Sequence, residues 1–221
     1  ALAATDTHRL ATDRLPWTCA DPEAESREAL VPALAATTFA KKAGQFGKVA
    51  VHLSDDLAAF RDDARELTIH TVRGSYVQVG RLLRSESPVS MTADARELAA
   101  VLDRMGKVTA RHRASSSAYG AADLRYAGHA VTVSALQEDG TLSATESLPA
   151  EATGAEEFEV RLNPDYLASL LAGINGQVVI GLTGVLPDSP GTAMINATGN
   201  DPFTAVLVTM KKASAPAASG Q

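Results

Sequence analysis

The segment FEVRLNPDYLASLLAG (Phe158–Gly173) contains the structural plan of this 221-residue chain. Phe158–Leu162 alternates apolar and polar residues, which predicts a half-buried strand. Asn163 is suited to cap the helix that follows, and Pro164 to occupy its first position. The helix is predicted over Pro164–Ala172 and ends at Gly173, because glycine tolerates the left-handed conformation common at a helix C-terminus.

The same plan occurs twice earlier in the chain. One helix is predicted over Ala93–Met105, with Thr92 as its cap and Gly106 at its end, and another over Ala33–Ala43, ending at Gly44. A short strand precedes each helix and three strands follow it. The predicted strands are Leu30–Pro32, Lys48–Leu53, Leu57–Arg61, Glu66–Arg73, Val89–Thr92, Leu124–Tyr126, His129–Ala135, Thr141–Leu148, Phe158–Leu162, Gln177–Leu182, Thr192–Ala197 and Phe203–Met210. The sequence therefore predicts an α+β fold of repeated β-α-β-β-β units, with antiparallel sheets and helices on one face.

The start of the chain departs from this plan. Ala1–Thr5 and Leu10–Trp17 read as two strands joined by a turn, with no helix before them. We interpret them as the closing hairpin of a fourth unit. A domain boundary is expected near residues 85–88. A turn at 137–140 is predicted to join the strands His129–Ala135 and Thr141–Leu148.

Composition narrows the classes of function. The net charge is −6, which disfavours a strongly basic nucleic-acid binder but leaves open a protein that surrounds DNA without gripping it. The single cysteine, Cys19, excludes an intrachain disulfide and a cysteine-based zinc site, and the five histidines are scattered. Neither a catalytic motif nor a leader or membrane segment is found, so we expect a cytoplasmic, non-catalytic protein without metal or cofactor.

The most specific motif is ATDTHRLA, Ala4–Ala11. It resembles the ATDGHRLA segment of bacterial DNA sliding clamps, the beta subunit of DNA polymerase III. The later segment Asn163–Leu167 and the final strand ending at Met210 follow in that family's order, so the resemblance extends to about Lys212. Thr7 stands where the family has glycine, which predicts either a negative φ or a strained β-branched residue there.

The resemblance implies a ring-shaped, head-to-tail homo-oligomer that encircles duplex DNA without sequence specificity. Such clamps tether polymerases and other partners, as an accessory part of DNA polymerase III in replication. Here, it implies an incomplete middle clamp-like domain over 1–85, a complete C-terminal domain over 86–212 and a disordered tail over 213–221.

Clamp partners insert a short peptide into an apolar groove between these two domains. By position, the resemblance assigns the groove to Thr5, Thr7, His8, Arg9, Leu10, Arg81, Leu82, Asn163, Tyr166, Val206, Leu207, Val208 and Met210. Residues that would face DNA phosphates are Lys41, Lys42, Arg96, Arg104 and Lys107. From the residues alone, the same positions fit an ordinary hydrogen-bonded turn, a sheet strand and solvated helix faces. An alternative function is a clamp-like sensing or dimerising module of a helix-turn-helix transcriptional regulator.

Overall fold

The computed structural model describes residues 1–19, 27–42, 48–83, 87–111, 120–136, 142–183, 191–198 and 203–210. Gly44, the predicted turn at 137–140 and the predicted tail at 213–221 lie outside these ranges. The elements in chain order are β1 (Leu2–Thr5), β2 (Arg9–Asp13), α1 (Ala33–Lys42), β3 (Ala50–Leu53), β4 (Leu57–Arg61), β5 (Glu66–His70), α2 (Val79–Leu82), β6 (Val89–Asp94), α3 (Ala95–Arg111), β7 (Ala121–Ala127), β8 (Ala130–Leu136), β9 (Leu142–Thr153), β10 (Phe158–Leu162), α4 (Pro164–Leu171), β11 (Gln177–Thr183), β12 (Thr192–Ala197) and β13 (Thr204–Val208).

These elements form two compact units. The smaller, Pro16–Gln78, contains α1 and a three-stranded antiparallel sheet in the order β3-β4-β5. Phe39 of α1 and Ala58 of β4 are buried in it. The larger unit combines Ala1–Leu15 with Val79–Gln221. The domain boundary predicted near residue 85 stays a prediction, but the first hairpin belongs to the larger unit because β2 pairs with β13.

The larger unit is built on a ten-stranded sheet in the order β1-β2-β13-β12-β11-β6-β9-β8-β7-β10. The two complete repeats exchange their first strands, since β6 pairs with β11 of the later repeat and β10 pairs with β7 of the earlier one. Helices α3 and α4 pack on each other, and apolar residues from both helices and from most of the strands form one core. The predicted α+β fold of antiparallel sheets with amphipathic helices is confirmed.

The reason for the glycine at position 106 differs from the prediction. Helix α3 continues through Gly106 to Arg111 instead of ending there. A Cβ at Gly106 would collide with the carboxylate of Asp165 at the start of α4, so any larger residue at this position requires the Asp165 side chain to move. The predicted cap is also wrong, because Asp94 rather than Thr92 accepts hydrogen bonds from the backbone N–H groups of Arg96 and Glu97, at 3.0 and 2.9 Å.

Two smaller predictions are also corrected. Gly173 does follow α4 closely, but the glycine with a left-handed φ in this loop is Gly176, at +85°. Leu30–Pro32 is not a strand. Pro32 lacks a backbone N–H for sheet pairing, and its carbonyl instead accepts hydrogen bonds from Ala35 and Ala36 in the first turn of α1.

Candidate functional site

The ATDTHRLA motif forms the tight turn between β1 and β2. One carboxylate oxygen of Asp6 accepts hydrogen bonds from the backbone N–H groups of His8 and Arg9, at 3.2 and 3.0 Å. Its other oxygen accepts from the Arg9 Nε–H at 2.8 Å. Thr7 has a φ of +75°, so a β-branched residue occupies the left-handed region that glycine tolerates freely.

The charge of Asp6 is maintained by these hydrogen bonds. Partial burial acts to raise the pKa of the carboxyl group, but the hydrogen bonds from the Arg9 side chain and from the backbone of Arg9 and His8 outweigh it. The pKa of Asp6 is therefore lower than its ordinary value, and the carboxylate stays ionised wherever the turn is folded near neutral pH.

Two side chains of this turn contact Tyr166 in the first turn of α4. The ring of His8 stacks on the ring of Tyr166, with centroids 5.7 Å apart and planes inclined by 26°. The guanidinium carbon of Arg9 lies 4.6 Å from the centroid of the same ring. Arg9 Nη1–H also donates a hydrogen bond to the hydroxyl of Ser169, one turn further along α4. Residues separated by more than 150 positions in sequence thus form one surface cluster.

The cap of α4 fixes the position of Tyr166. The Asn163 side-chain oxygen accepts hydrogen bonds from the backbone N–H groups of Asp165 and Tyr166, at 2.9 and 3.2 Å. The predicted capping role of Asn163 is confirmed. The residue is buried, so it acts on the surface through the helix it caps.

Strand β13 lies beside the turn. Leu10 of β2 is directly opposite Val206 of β13, and the backbone N–H of Val208 donates to the His8 carbonyl at 3.0 Å. Leu207 faces the core and is 0% exposed, whereas Val208 is 45% exposed. Because alternate residues of a strand point to opposite faces, Leu10 and Val206 lie on the face away from the helices.

The backbone after β13 is fixed by a bridge to β10. Met210 N–H donates to the Arg161 carbonyl at 2.7 Å. The Arg161 guanidinium makes two hydrogen bonds to the Asp123 carboxylate, at 2.7 and 2.9 Å. The hydrogen bond to Asp123 raises the pKa of Arg161 despite the opposing effect of burial, so the guanidinium group stays charged.

The residues assigned to the peptide groove therefore fall into three groups. The first group contains the solvent-accessible residues of the turn, of α4 and of the end of β13. We call it the candidate peptide surface, and it consists of Thr5, Thr7, His8, Arg9, Tyr166, Val208 and Met210. Leu10, Asn163, Val206 and Leu207 are buried beneath it or beside it. Arg81 and Leu82 lie exposed on α2, and no hydrogen bond, ion pair or ring contact among the described residues joins them to this surface. Asp6 and Ser169 support the surface and were not among the predicted site residues.

Three of the five basic residues assigned to DNA are engaged with other side chains. Arg104 forms a bidentate ion pair with Glu146, and Lys107 Nζ lies 2.6 Å from an Asp103 oxygen. Arg96 donates a hydrogen bond to Asn175 at 2.5 Å. Lys41 and Lys42 are exposed in the last turn of α1. Such pairing reduces the positive potential that α3 can present to phosphates.

The described residues contain no group of three or more histidine, cysteine or acidic residues arranged to hold a metal ion. No helix in them combines the length and the apolar composition that crossing a bilayer requires.

No family model matches the chain. The beta sliding clamp of Micrococcus luteus is 33% identical over 113 residues, which are 50% of this chain and 36% of that protein. The structure of DNA polymerase III subunit beta from Pseudomonas aeruginosa matches 95% of this chain and 55% of its own, with a TM-score of 0.77 and 22% identity. The beta subunit from DNA polymerase of Streptococcus pyogenes matches 95% and 54%, with a TM-score of 0.77 and 18% identity.

These matches confirm the resemblance predicted from ATDTHRLA and the later segments. The fold is that of the sliding clamps. The chain spans about a third of the length of the curated relative and about half of the length of these solved structures.

Proposed function

Starting from a chain with the sliding-clamp fold and a sequence similar to a bacterial beta sliding clamp, we propose that this protein is a non-catalytic clamp component. It tethers a DNA polymerase or another partner to duplex DNA by binding a short peptide of that partner. The observation that carries this proposal is the contact of His8 and Arg9 with Tyr166, beside the exposed end of β13.

The chemistry of the candidate peptide surface suits an extended peptide. The aromatic ring of Tyr166 offers apolar contact beside the polar groups of His8 and Arg9. Val208 adds an exposed apolar side chain at the end of β13, next to the turn. Aromatic residues that are held rigidly lose little conformational entropy on binding, which makes Tyr166 the strongest candidate for an energetic hot spot.

The proposed relation to DNA is encirclement with weak direct contact. The negative net charge and the ion pairs of Arg104 and Lys107 are compatible with a ring that slides instead of gripping. Homo-oligomerisation of the whole protein and a place in replication belong to the same proposal. The proteins compared are sliding clamps, and they do not support the alternative of a regulator module.

Titration of a fluorescent clamp-binding peptide from a DNA polymerase, followed by anisotropy, tests the proposal on the full chain. We expect saturable binding that Tyr166→Ala weakens at least about tenfold, as loss of a central tyrosine does in peptide sites. Val208→Ala and Met210→Ala should weaken it less, because each removes a smaller contact.

Matched controls are available in the smaller unit. Tyr76 and Val51 are exposed there, and Tyr76→Ala and Val51→Ala remove the same side chains outside the candidate peptide surface. These variants should bind as the natural chain does. Binding that is absent, or that changes equally in variants and controls, contradicts the proposal.

A further inference from the structure

We propose that Ser169 is a positioning residue of the candidate peptide surface, which holds Arg9 over the ring of Tyr166. This inference rests on the proposed function for its effect on peptide affinity. Its geometric part, the placement of Arg9, stands on the contacts of the described residues alone.

The hydroxyl of Ser169 links the turn to the helix. It donates a hydrogen bond to the backbone carbonyl of Tyr166 at 2.8 Å and accepts one from Arg9 Nη1–H. Because a hydroxyl has one hydrogen to donate and two lone pairs to accept, both bonds form together. Ser169 is thereby tied to the residue whose ring Arg9 covers.

Arg9 is held from two sides. Asp6 accepts from its Nε–H at 2.8 Å, while Ser169 accepts from Nη1–H at another edge of the guanidinium group. A planar guanidinium group fixed at two of its nitrogens cannot rotate freely, so its distance of 4.6 Å from the Tyr166 centroid is set by both partners.

Asp6 and Ser169, which both accept hydrogen bonds from Arg9, have different roles. Asp6 also organises the backbone of the turn through His8 and Arg9, so its removal disturbs the whole motif. Ser169 is exposed, and its hydrogen bonds to Arg9 and Tyr166 are made by its hydroxyl group. Its loss should release the guanidinium group while the turn and the helix stay folded, which leaves Tyr166 without a preformed cationic neighbour when a peptide arrives.

The test uses Ser169→Ala, Ser169→Thr and Tyr166→Leu in the full chain. The first readout is the proton NMR shift of the Arg9 side chain, which the Tyr166 ring current displaces upfield. In Ser169→Ala this shift should move toward the value seen in Tyr166→Leu, and Ser169→Thr should restore it because the hydroxyl is kept. Circular dichroism should show the same folded signal in all three variants.

The second readout is affinity for the polymerase peptide. We expect Ser169→Ala to weaken binding about three- to tenfold, which corresponds to the net contribution of one ordinary hydrogen bond, and Ser169→Thr to restore it. An unchanged Arg9 shift in Ser169→Ala overturns the positioning role whether or not the peptide binds. A changed shift with unchanged affinity overturns the effect on binding. If the natural chain binds no peptide, the proposed function fails, and the Arg9 shift alone still decides whether Ser169 positions Arg9.

Discussion

The guanidinium carbon of Arg9 lies 4.6 Å from the centre of the Tyr166 ring, which joins the turn between β1 and β2 to the start of α4. A cation over an aromatic face at this distance is attracted by the ring quadrupole, at about 0.5–1 kcal/mol where both groups are partly exposed. The candidate peptide surface depends on this contact, because it brings together two segments that are remote in sequence.

The turn that carries Arg9 predicts a pH dependence. The pKa of Asp6 is lowered from 3.8 in the folded chain. The ionised carboxylate therefore contributes a constant amount to the free energy of unfolding above pH 3.8, and this contribution is lost as the pH falls through the pKa of the folded state. An NMR titration of the Asp6 carboxyl group should give a midpoint below 3.8, and Arg9→Gln should move it upward. A midpoint at or above 3.8 in the natural chain contradicts the hydrogen-bonded turn.

Thr7 predicts a stabilising substitution. Its φ of +75° is unfavourable for a β-branched residue, whereas glycine adopts it without steric cost. Thr7→Gly should raise the free energy of unfolding of the larger unit by up to about 1 kcal/mol. This is the net gain, because the greater conformational entropy of glycine in the unfolded chain offsets part of the relieved strain. Thr132→Gly in the regular strand β8 is the control and should lower it. Urea unfolding measures both, and a loss of stability in Thr7→Gly refutes the left-handed turn.

Substitution of Gly106 distinguishes two explanations for this glycine, a clash with the Asp165 side chain and a left-handed conformation at the end of a helix. Inside helix α3, alanine is favoured over glycine by about 1 kcal/mol, but the Asp165 carboxylate occupies the space for its Cβ. Gly106→Ala should therefore stabilise the chain more in an Asp165→Ala background than in the natural one, by roughly 0.5–1 kcal/mol in urea unfolding. Equal destabilisation in both backgrounds would instead indicate a glycine in the left-handed conformation at the end of a helix.

The Arg161–Asp123 pair predicts a large loss of stability. Both side chains are nearly buried, at 14% and 13% exposure, beside the bridge that fixes Met210. Asp123→Ala leaves a guanidinium group unpaired and should cost about 2–4 kcal/mol. Glu157→Ala breaks the exposed Arg125–Glu157 pair and should cost less than about 1 kcal/mol. Similar losses in the two variants would contradict the importance of this pair.

Local patterns predicted much of the fold. Phe158–Leu162 and Thr192–Ala197 are strands with the predicted bounds, and the short segment expected around Leu57–Arg61 is also a strand. For Phe158–Leu162, alternation of apolar and polar residues reports burial on one face. Gly106 was misinterpreted because its reason is a neighbouring helix, and no pattern within the segment reveals that neighbour.

The site was predictable only in part. The motif and the family resemblance identified His8, Arg9 and Tyr166, which the structure brings together. Ser169 could not be found this way, since one exposed serine in a helix carries no signal until the fold places it against Arg9. Its spacing of three residues from Tyr166, on the same helix face, is the single local hint.

The most direct test of the central claim is a map of amide NMR shifts in the ¹⁵N-labelled full chain on addition of the polymerase peptide. The proposed peptide site predicts saturable changes concentrated at His8–Leu10, Tyr166 and Val208–Met210. Changes concentrated elsewhere, for example along β7 and β8, or no saturable change at all, would contradict it.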